Sequence, residues 1–217
     1  MIRIKICGIT NLTDARAAVD AGADMLGFNF FRPSPRFIEP HEARQIIACL
    51  RSELDAGARP LTIVGVFVNE ASPESLVRIA ATTGIDAAQL HGDESVEFCH
   101  SLKQLRPGMA VIKVLRAGDG FEPEEAAAYD VDAIMLDSFH AELRGGTGRV
   151  FDWTVGRRTR QHVSRLFLAG GLSPANVAEA IAEVQPDAVD ACSSIESSPG
   201  RKDAELMKAF VSAVRSS

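Results

Sequence analysis

No run of the 217-residue chain stays apolar for the ~18 residues that a membrane-crossing helix needs, so no membrane partner is expected. The opening MIRIKICGIT has neither a long apolar stretch nor a small-residue cleavage site, which argues against an export signal. Dense runs of lysine and arginine are missing too. The nearest is Arg157-Arg158-Thr159-Arg160, short enough to be a solvated helix face, and the net charge is −6. No nucleic-acid partner is therefore expected. Cysteine is sparse: Cys7, Cys49, Cys99 and Cys192 form no Cys-x-x-Cys pair and no metal-ligand spacing with the five histidines. That excludes a disulfide scaffold, predicts no bound metal, and fits four reduced thiols in the cytoplasm. With 46% apolar and 24% charged residues the composition is that of a globular protein. A chain of this length can bury about 70% of its unfolded surface without a staple.

What the sequence does have is alternation. Short apolar, β-branched runs recur at 3–7, 25–30, 62–68, 87–91, 110–115, 133–137, 165–169 and 188–192. Amphipathic stretches with helical spacing lie between them, at 13–21, 41–50, 73–82, 94–104, 174–184 and 203–214, with a short Ala/Glu-rich helix at 121–129. Ser72-Pro73 and Ser173-Pro174 each offer an N-cap followed by a proline at the first helical position. Strands alternating with helices predict βαβ units and a parallel sheet. Eight units in 217 residues allow about 27 residues each, compact but workable for a barrel. An open doubly wound sheet is the rival, usually with fewer strands. The expected fold is α/β, a (β/α)8 TIM barrel, and no composition break divides residues 1–217, which read as a single domain. Two connections are long and would lie on the C-terminal face, where barrels build their sites: 31–40 after the second strand and 139–150 after the sixth. The insert at 51–60 lies on the opposite face and reads as a plain connection.

Strand side chains alternate in direction. Ile2, Ile4 and Ile6 share one face of the first strand, suited to the helix layer, while Arg3, Lys5 and Cys7 share the other. Cys7 then stands at the mouth of the barrel. In the sixth strand Ala133, Met135 and Asp137 share a face, and Asp137 also ends at the mouth. A thiol and a carboxyl facing each other across a barrel suit acid–base work; a buried small hydrophobe and a loop-anchoring aspartate are the plainer readings. Gln89 and His91 have lumen parity and suit either substrate orientation and proton handling or a structural hydrogen bond. Gly170-Gly171 after the seventh strand and Ser193-Ser194 after the eighth bring backbone N–H groups and hydroxyls to the place where barrels often hold phosphate, though Gly-Gly alone is also an ordinary turn. Arg36, stiffened by Ser34-Pro35, offers a planar fork to a carboxylate or is simply an exposed arginine. Gly145–Gly148 reads as either a lid or an irregular turn.

Taken in order, these segments resemble the phosphoribosylanthranilate isomerase family of tryptophan biosynthesis. The resemblance rests on Lys5-Ile6-Cys7-Gly8-Ile9-Thr10, Gly27-Phe28, Ser34-Pro35-Arg36-Phe37-Ile38, Val64-Gly65-Val66-Phe67-Val68, Gln89-Leu90-His91-Gly92 and Leu136-Asp137-Ser138. It continues through Gly145-Gly146-Thr147-Gly148, Phe151-Asp152-Trp153, Ala169-Gly170-Gly171-Leu172 and Pro199-Gly200-Arg201-Lys202-Asp203. It implies a cofactor-free, metal-free barrel that turns N-(5-phosphoribosyl)anthranilate into 1-(2-carboxyphenylamino)-1-deoxyribulose 5-phosphate, an Amadori rearrangement. It further implies Cys7 as general base, Asp137 as general acid, Arg36 on the anthranilate carboxylate, and Gly170, Gly171, Ser193 and Ser194 on the phosphate. The chain departs from the family near the eighth strand. Cys192 stands where Ser is usual and Ser194 where Gly is usual, and Arg149 replaces a common Lys. A histidine-pathway aminoaldose isomerase and a non-catalytic sugar-phosphate-binding barrel are the competing readings; the first usually pairs aspartates, whereas the first strand here ends in Cys7. The partner expected is the small-molecule substrate, with monomer and homodimer both open.

Overall fold

Alternating side-chain direction sorts the apolar residues of this chain into two sets, and the fold buries both. A computed structural model describes residues 1–54, 60–118, 120–137 and 153–217. Eight parallel strands close into a barrel: β1 (Arg3–Cys7), β2 (Met25–Asn29), β3 (Thr62–Phe67), β4 (Ala87–Leu90), β5 (Ala110–Arg116), β6 (Ala133–Asp137), β7 (Leu166–Ala169) and β8 (Ala188–Ala191). β8 pairs with β1, which removes the open-sheet alternative. The helices are α1 (Leu12–Ala21), α2 (Pro40–Glu53), α3 (Pro73–Thr83), α4 (Val96–Leu105), α5 (Trp153–Thr159), α6 (Val177–Val184) and α7 (Ala204–Arg215). Ile4, Ile6, Phe28 and Phe67 pack outward against the helix layer. Met25, Val64, Ile112, Val114, Met135 and Phe167 fill the lumen. The predicted parity of β1 and β6 is therefore the observed one. None of the described helices is long and apolar enough to cross a membrane.

The lower rim carries a repeated stitch. Asp24, Asp86, Asp132 and Asp187 each immediately precede an even-numbered strand. Each carboxylate accepts a 2.8 Å hydrogen bond from the backbone N–H of the preceding odd strand, at Ile4, Ile63, Val111 and Leu166 respectively. Each aspartate N–H returns a bond to the carbonyl of the same residue. One device thus satisfies strand-start backbone groups at four places around the barrel.

Several local expectations are corrected. Ser173-Pro174 does not begin α6. Gly170 and Gly171, at φ +83° and +66°, turn the chain after β7, and a further turn then ends on Asn176, the residue before the helix. The Asn176 carboxamide oxygen accepts from the Ser173 N–H at 2.8 Å, and the Ser173 carbonyl accepts from Val177. Ser72-Pro73 does begin α3, through a capping box. Glu94 lies outside α4, whose cap is Ser95, because its carboxylate is committed to the loop before the helix. The stretch 121–129 forms a 3-10 helix over Pro123–Ala128. α5 puts Arg157 and Arg158 on an exposed helix face, as the reading of 157–160 expected, but its start was not anticipated: it is short, holds a glycine and three β-branched residues, and Gly156 serves close packing on Val184 of α6. Equally unforeseen is a hairpin of β9 (Glu196–Ser198) and β10 (Arg201–Lys202), turned at Gly200 with φ +79°. Arg51–Glu53 of the 51–60 insert continue α2, while residues 55–59 of it, Ser138, the 139–150 connection with Gly145–Gly148 and Arg149, and Phe151 and Asp152 lie outside the described residues.

Candidate active site

β1 delivers Lys5 and Cys7 to the lumen, one above the other. The register of β1 on β8 sets Lys5 opposite Asp190. The Lys5 Nζ lies 2.9 Å from the Asp190 Oδ1, fully buried. Gly27 on β2 makes room: a Cβ there would sit 2.8 Å from the Cys7 Sγ and 3.1 Å from the Lys5 Nζ. Burial opposes the charge on Lys5, but Asp190 and Cys7 outweigh it and hold the ammonium above its ordinary range. Burial pushes the Asp190 carboxyl up to about 7, with Lys5 pulling the other way. Cys7 is driven well below the usual thiol range. A hydrogen bond from Cys192 is the main cause, and the Lys5 and Lys202 charges add to it against the opposing effect of burial. The shift favours the thiolate, the form in which a cysteine acts as a base.

A second charged cluster braces this one. Arg36 grips Glu196 with two nitrogens, Nε to Oε1 at 2.9 Å and Nη2 to Oε2 at 2.7 Å. Lys202 from β10 adds its Nζ to Glu196 Oε1 at 2.8 Å and to the Cys192 carbonyl at 3.0 Å. Burial works against the Glu196 charge, yet Arg36 and Lys202 keep its carboxyl below the usual range. The loop carrying Arg36 is pinned to β2: Ser34 Oγ accepts from the Asn29 amide and the Arg36 N–H, and Ile38 N–H bonds the Asn29 carbonyl. Thr10 Oγ1 donates to the Gly200 carbonyl at 2.6 Å, tying the hairpin to the β1 loop. Lys5, Arg36 and Lys202 thus bring three positive charges to the mouth, answered there by Asp190, Glu196 and Cys7.

Asp137 ends β6, three strands round the barrel from Cys7 through β7 and β8. Its Oδ2 lies 3.0 Å from His91 Nε2, and His91 Nδ1 lies 3.1 Å from the Gln89 Nε2. With the Gln89 amide donating to Nδ1, the proton of a neutral ring sits on Nε2 and points at Asp137. The turn after His91 is fixed from below. Glu94 accepts from the N–H groups of Asn69 and Gly92, and Lys113, buried on the outer side of β5, reaches Glu94 and the Gly92 carbonyl at 2.7 Å. Gly170, Gly171, Ser193 and Ser194 come together above β7 and β8. The Ser194 hydroxyl donates to the Leu172 carbonyl, lacing the two loops. Gly171 and Ser193 are solvent-exposed, so the cradle opens outward. A cavity of about 450 Å³ between α2 and α3, lined by Arg44, Ile47, Arg51 and Gly84, touches none of these residues.

Every candidate from the sequence except the Gly145–Gly148 run is thereby placed at the mouth. Asp190, Glu196 and Lys202 were not singled out as site residues. Parity alone would have found Asp190, which shares a face with Ala188; Glu196 and Lys202 enter through a hairpin that no periodicity announces.

The family model described as N-(5'phosphoribosyl)anthranilate (PRA) isomerase matches residues 4–213. The chain belongs to this family. Proteins named N-(5'-phosphoribosyl)anthranilate isomerase include one from Trichlorobacter lovleyi, 43% identical over 211 residues and 97% of each chain. Another, from Rubrobacter xylanophilus, is 42% identical over the whole of both chains. Among solved structures, phosphoribosyl anthranilate isomerase from Thermotoga maritima covers both chains fully at 40% identity and a TM-score of 0.87. A family structure in complex with reduced 1-(o-carboxyphenylamino)-1-deoxyribulose 5-phosphate covers both fully at 38% and 0.84. A thiamine phosphate pyrophosphorylase from Pyrococcus furiosus, at 17% identity and 0.69, shares the fold alone.

Proposed function

We propose that this barrel converts N-(5-phosphoribosyl)anthranilate to 1-(2-carboxyphenylamino)-1-deoxyribulose 5-phosphate, with Cys7 as the base and Asp137 as the acid. The observation that carries the assignment is the Cys7 sulfur set beside the Lys5 ammonium on one side of the mouth, with the Asp137–His91 pair on the other. Asp137 gives a proton to the ribose ring oxygen. The C1′–O bond breaks and a Schiff base forms on the anthranilate nitrogen. Cys7 takes the C2′ proton, and the resulting enolamine tautomerises to the ketone. Proton transfer needs no electron acceptor, so the side chains suffice. Lys5 holds the thiolate, and His91, oriented by Gln89, holds the Asp137 carboxyl toward the lumen.

Binding follows the same charges. Glu196 uses Nε and Nη2 of Arg36, which leaves Nη1 for the anthranilate carboxylate. The phosphate sits over Gly170, Gly171, Ser193 and Ser194. Because the Ser194 hydroxyl is spent on Leu172, its backbone N–H is the group that faces the anion. The same reading treats residues 1–217 as one barrel domain, supported by the family match over most of them.

The test follows the fluorescence decay of phosphoribosylanthranilate, made in place from anthranilate and phosphoribosyl pyrophosphate by the preceding transferase. The chain should accelerate the decay and yield the carboxyphenylamino-ribulose product. Cys7→Ala and Asp137→Ala should each lose ~10²–10⁴-fold in turnover while their thermal melts stay cooperative. A variant that keeps its turnover removes that residue from the chemistry.

A further inference from the structure

The strand pair that closes the barrel runs Lys5↔Asp190 and Ile6↔Ala191, so Cys7 and Cys192 face each other at the next step, at the mouth. Each sulfur shifts the ionisation of the other, Cys7 downward and Cys192 upward. Neighbouring strands lie ~4.8 Å apart, within the ~4.4–6.8 Å between Cα atoms that a disulfide accommodates. A Cβ built on Gly8 would touch the Cys192 Sγ at 3.1 Å, and one built on Gly27 would touch the Cys7 Sγ at 2.8 Å. Glycines therefore clear the space around both sulfurs. The charged groups facing the pair are Lys5 and Asp190 from below, and Arg36, Lys202 and Glu196 from the rim.

We propose that Cys7 and Cys192 form a redox pair, in which a peroxide oxidises Cys7 and Cys192 then closes an intramolecular disulfide across β1 and β8. In the first step the Cys7 thiolate attacks a peroxide oxygen. An S–O bond forms, the O–O bond breaks, and the leaving oxygen takes a proton to become an alcohol or water. In the second step the Cys192 sulfur attacks the Cys7 sulfenic sulfur. The S–S bond forms, the S–O bond breaks, and hydroxide leaves as water with the Cys192 proton. Two thiols have lost two electrons and the peroxide has gained them.

The surroundings favour this order. Cys7 is the thiolate of the pair and so the one that meets peroxide. Cys192 is held protonated first by its hydrogen bond to Cys7, then by burial and by the Cys7 charge, while Lys202 and Arg36 pull the other way. Once Cys7 is a neutral sulfenic acid, two of the causes that keep Cys192 protonated are gone and the two cations remain. Oxidation of the first thiol thus readies the second. Loss of turnover in the disulfide form rests on the reading of Cys7 as the base; the disulfide itself does not.

The experiment exposes the reduced protein to hydrogen peroxide, alkylates the remaining thiols, and maps peptides by mass while isomerase turnover is followed. The expected result is a Cys7–Cys192 peptide pair lighter by two hydrogens. Turnover should fall by at least about tenfold as the pair forms and return with dithiothreitol. In Cys192→Ser, measured against its own untreated activity, Cys7 should pass on to sulfinic acid and dithiothreitol should not restore turnover. Three results would overturn the proposal: Cys7 sulfinic acid without the cross-link in the unaltered chain, a link from Cys7 to exposed Cys49 instead, or equal recovery in Cys192→Ser. A Cys7–Cys192 link that leaves turnover intact would keep the pair and remove Cys7 as the base.

Discussion

A lysine with no exposed surface is costly unless its charge is answered, and Lys5 is answered by Asp190 on one side and the Cys7 thiolate on the other. The expense makes sense if the product is a thiolate at neutral pH. Lys5→Met is expected to let Asp190 take a proton and to raise the Cys7 thiol. The acid limb of kcat/KM should then move to higher pH, and each unit of that move costs about tenfold in rate below the limb. A pH profile that coincides with the unaltered one would detach Lys5 from the chemistry. Glu196 obeys the opposite sign from a lysine. Its carboxyl lies below the ordinary value of about 4.3, held there by Arg36 and Lys202. Its pairing therefore stabilises the fold above that ordinary value and is lost as pH falls through the lower, folded one. Glu196→Gln should flatten the acid side of a plot of Tm against pH; an unchanged slope there would contradict the pairing. Cys7 and Asp137 were legible as residues because strand parity and a strand end are local facts. Their partners were less so, since Lys202 lies far along the chain and reaches the mouth only when the hairpin folds back.

Among the elements, the turn after β7 shows how backbone conformation makes a site. Gly171 is at φ +66° with open space where a Cβ would stand, so conformation rather than crowding requires glycine. Gly171→Ala costs about 1–2 kcal/mol in that geometry, and the turn is expected to relax out of it. KM for phosphoribosylanthranilate should rise by about tenfold on that strain, with kcat much less affected. A drop in kcat at constant KM would place the glycine outside the phosphate cradle. The same turn misled the reading of α6, because Ser173-Pro174 has helix-start chemistry that the two preceding glycines override. Glu94 shows the converse: its sequence suits a first helical turn, but Lys113 and two loop N–H groups claim it. Of α5 only the exposed Arg157-Arg158 face was legible; its start was not, for lack of amphipathic period over so few residues.

For the molecule as a whole, the four-fold aspartate stitch holds the strand starts while the opposite rim is left to chemistry. Asp132→Ala leaves the Val111 N–H without its carboxylate, at an expected loss of about 1–3 kcal/mol in a urea melt. Asp130→Ala is the control: its side chain is 85% exposed and its only described ion pair, with Lys103, is long, so it should change stability little. Equal effects from the two would refute the stitch as a stabilising device. Before each even strand the aspartate is visible in the sequence as Ala23-Asp24-Met25, Ile85-Asp86-Ala87, Asp132-Ala133 and Pro186-Asp187-Ala188. Nothing local says what it binds.

The sequence by itself determined the eightfold alternation, the face each strand turns to the lumen, and the strand-end positions of Cys7, Asp137 and the glycine turn. These follow from periodicity and from what a proline, a glycine or a capping serine does to its own few residues. Only the tertiary structure decided that β8 closes on β1, and with it that Asp190 meets Lys5, that Cys192 meets Cys7, and that Arg36 shares Glu196 with Lys202. Those contacts join residues up to 185 positions apart. Their worth depends on burial and on the charge of each neighbour, quantities that exist only once the barrel has closed.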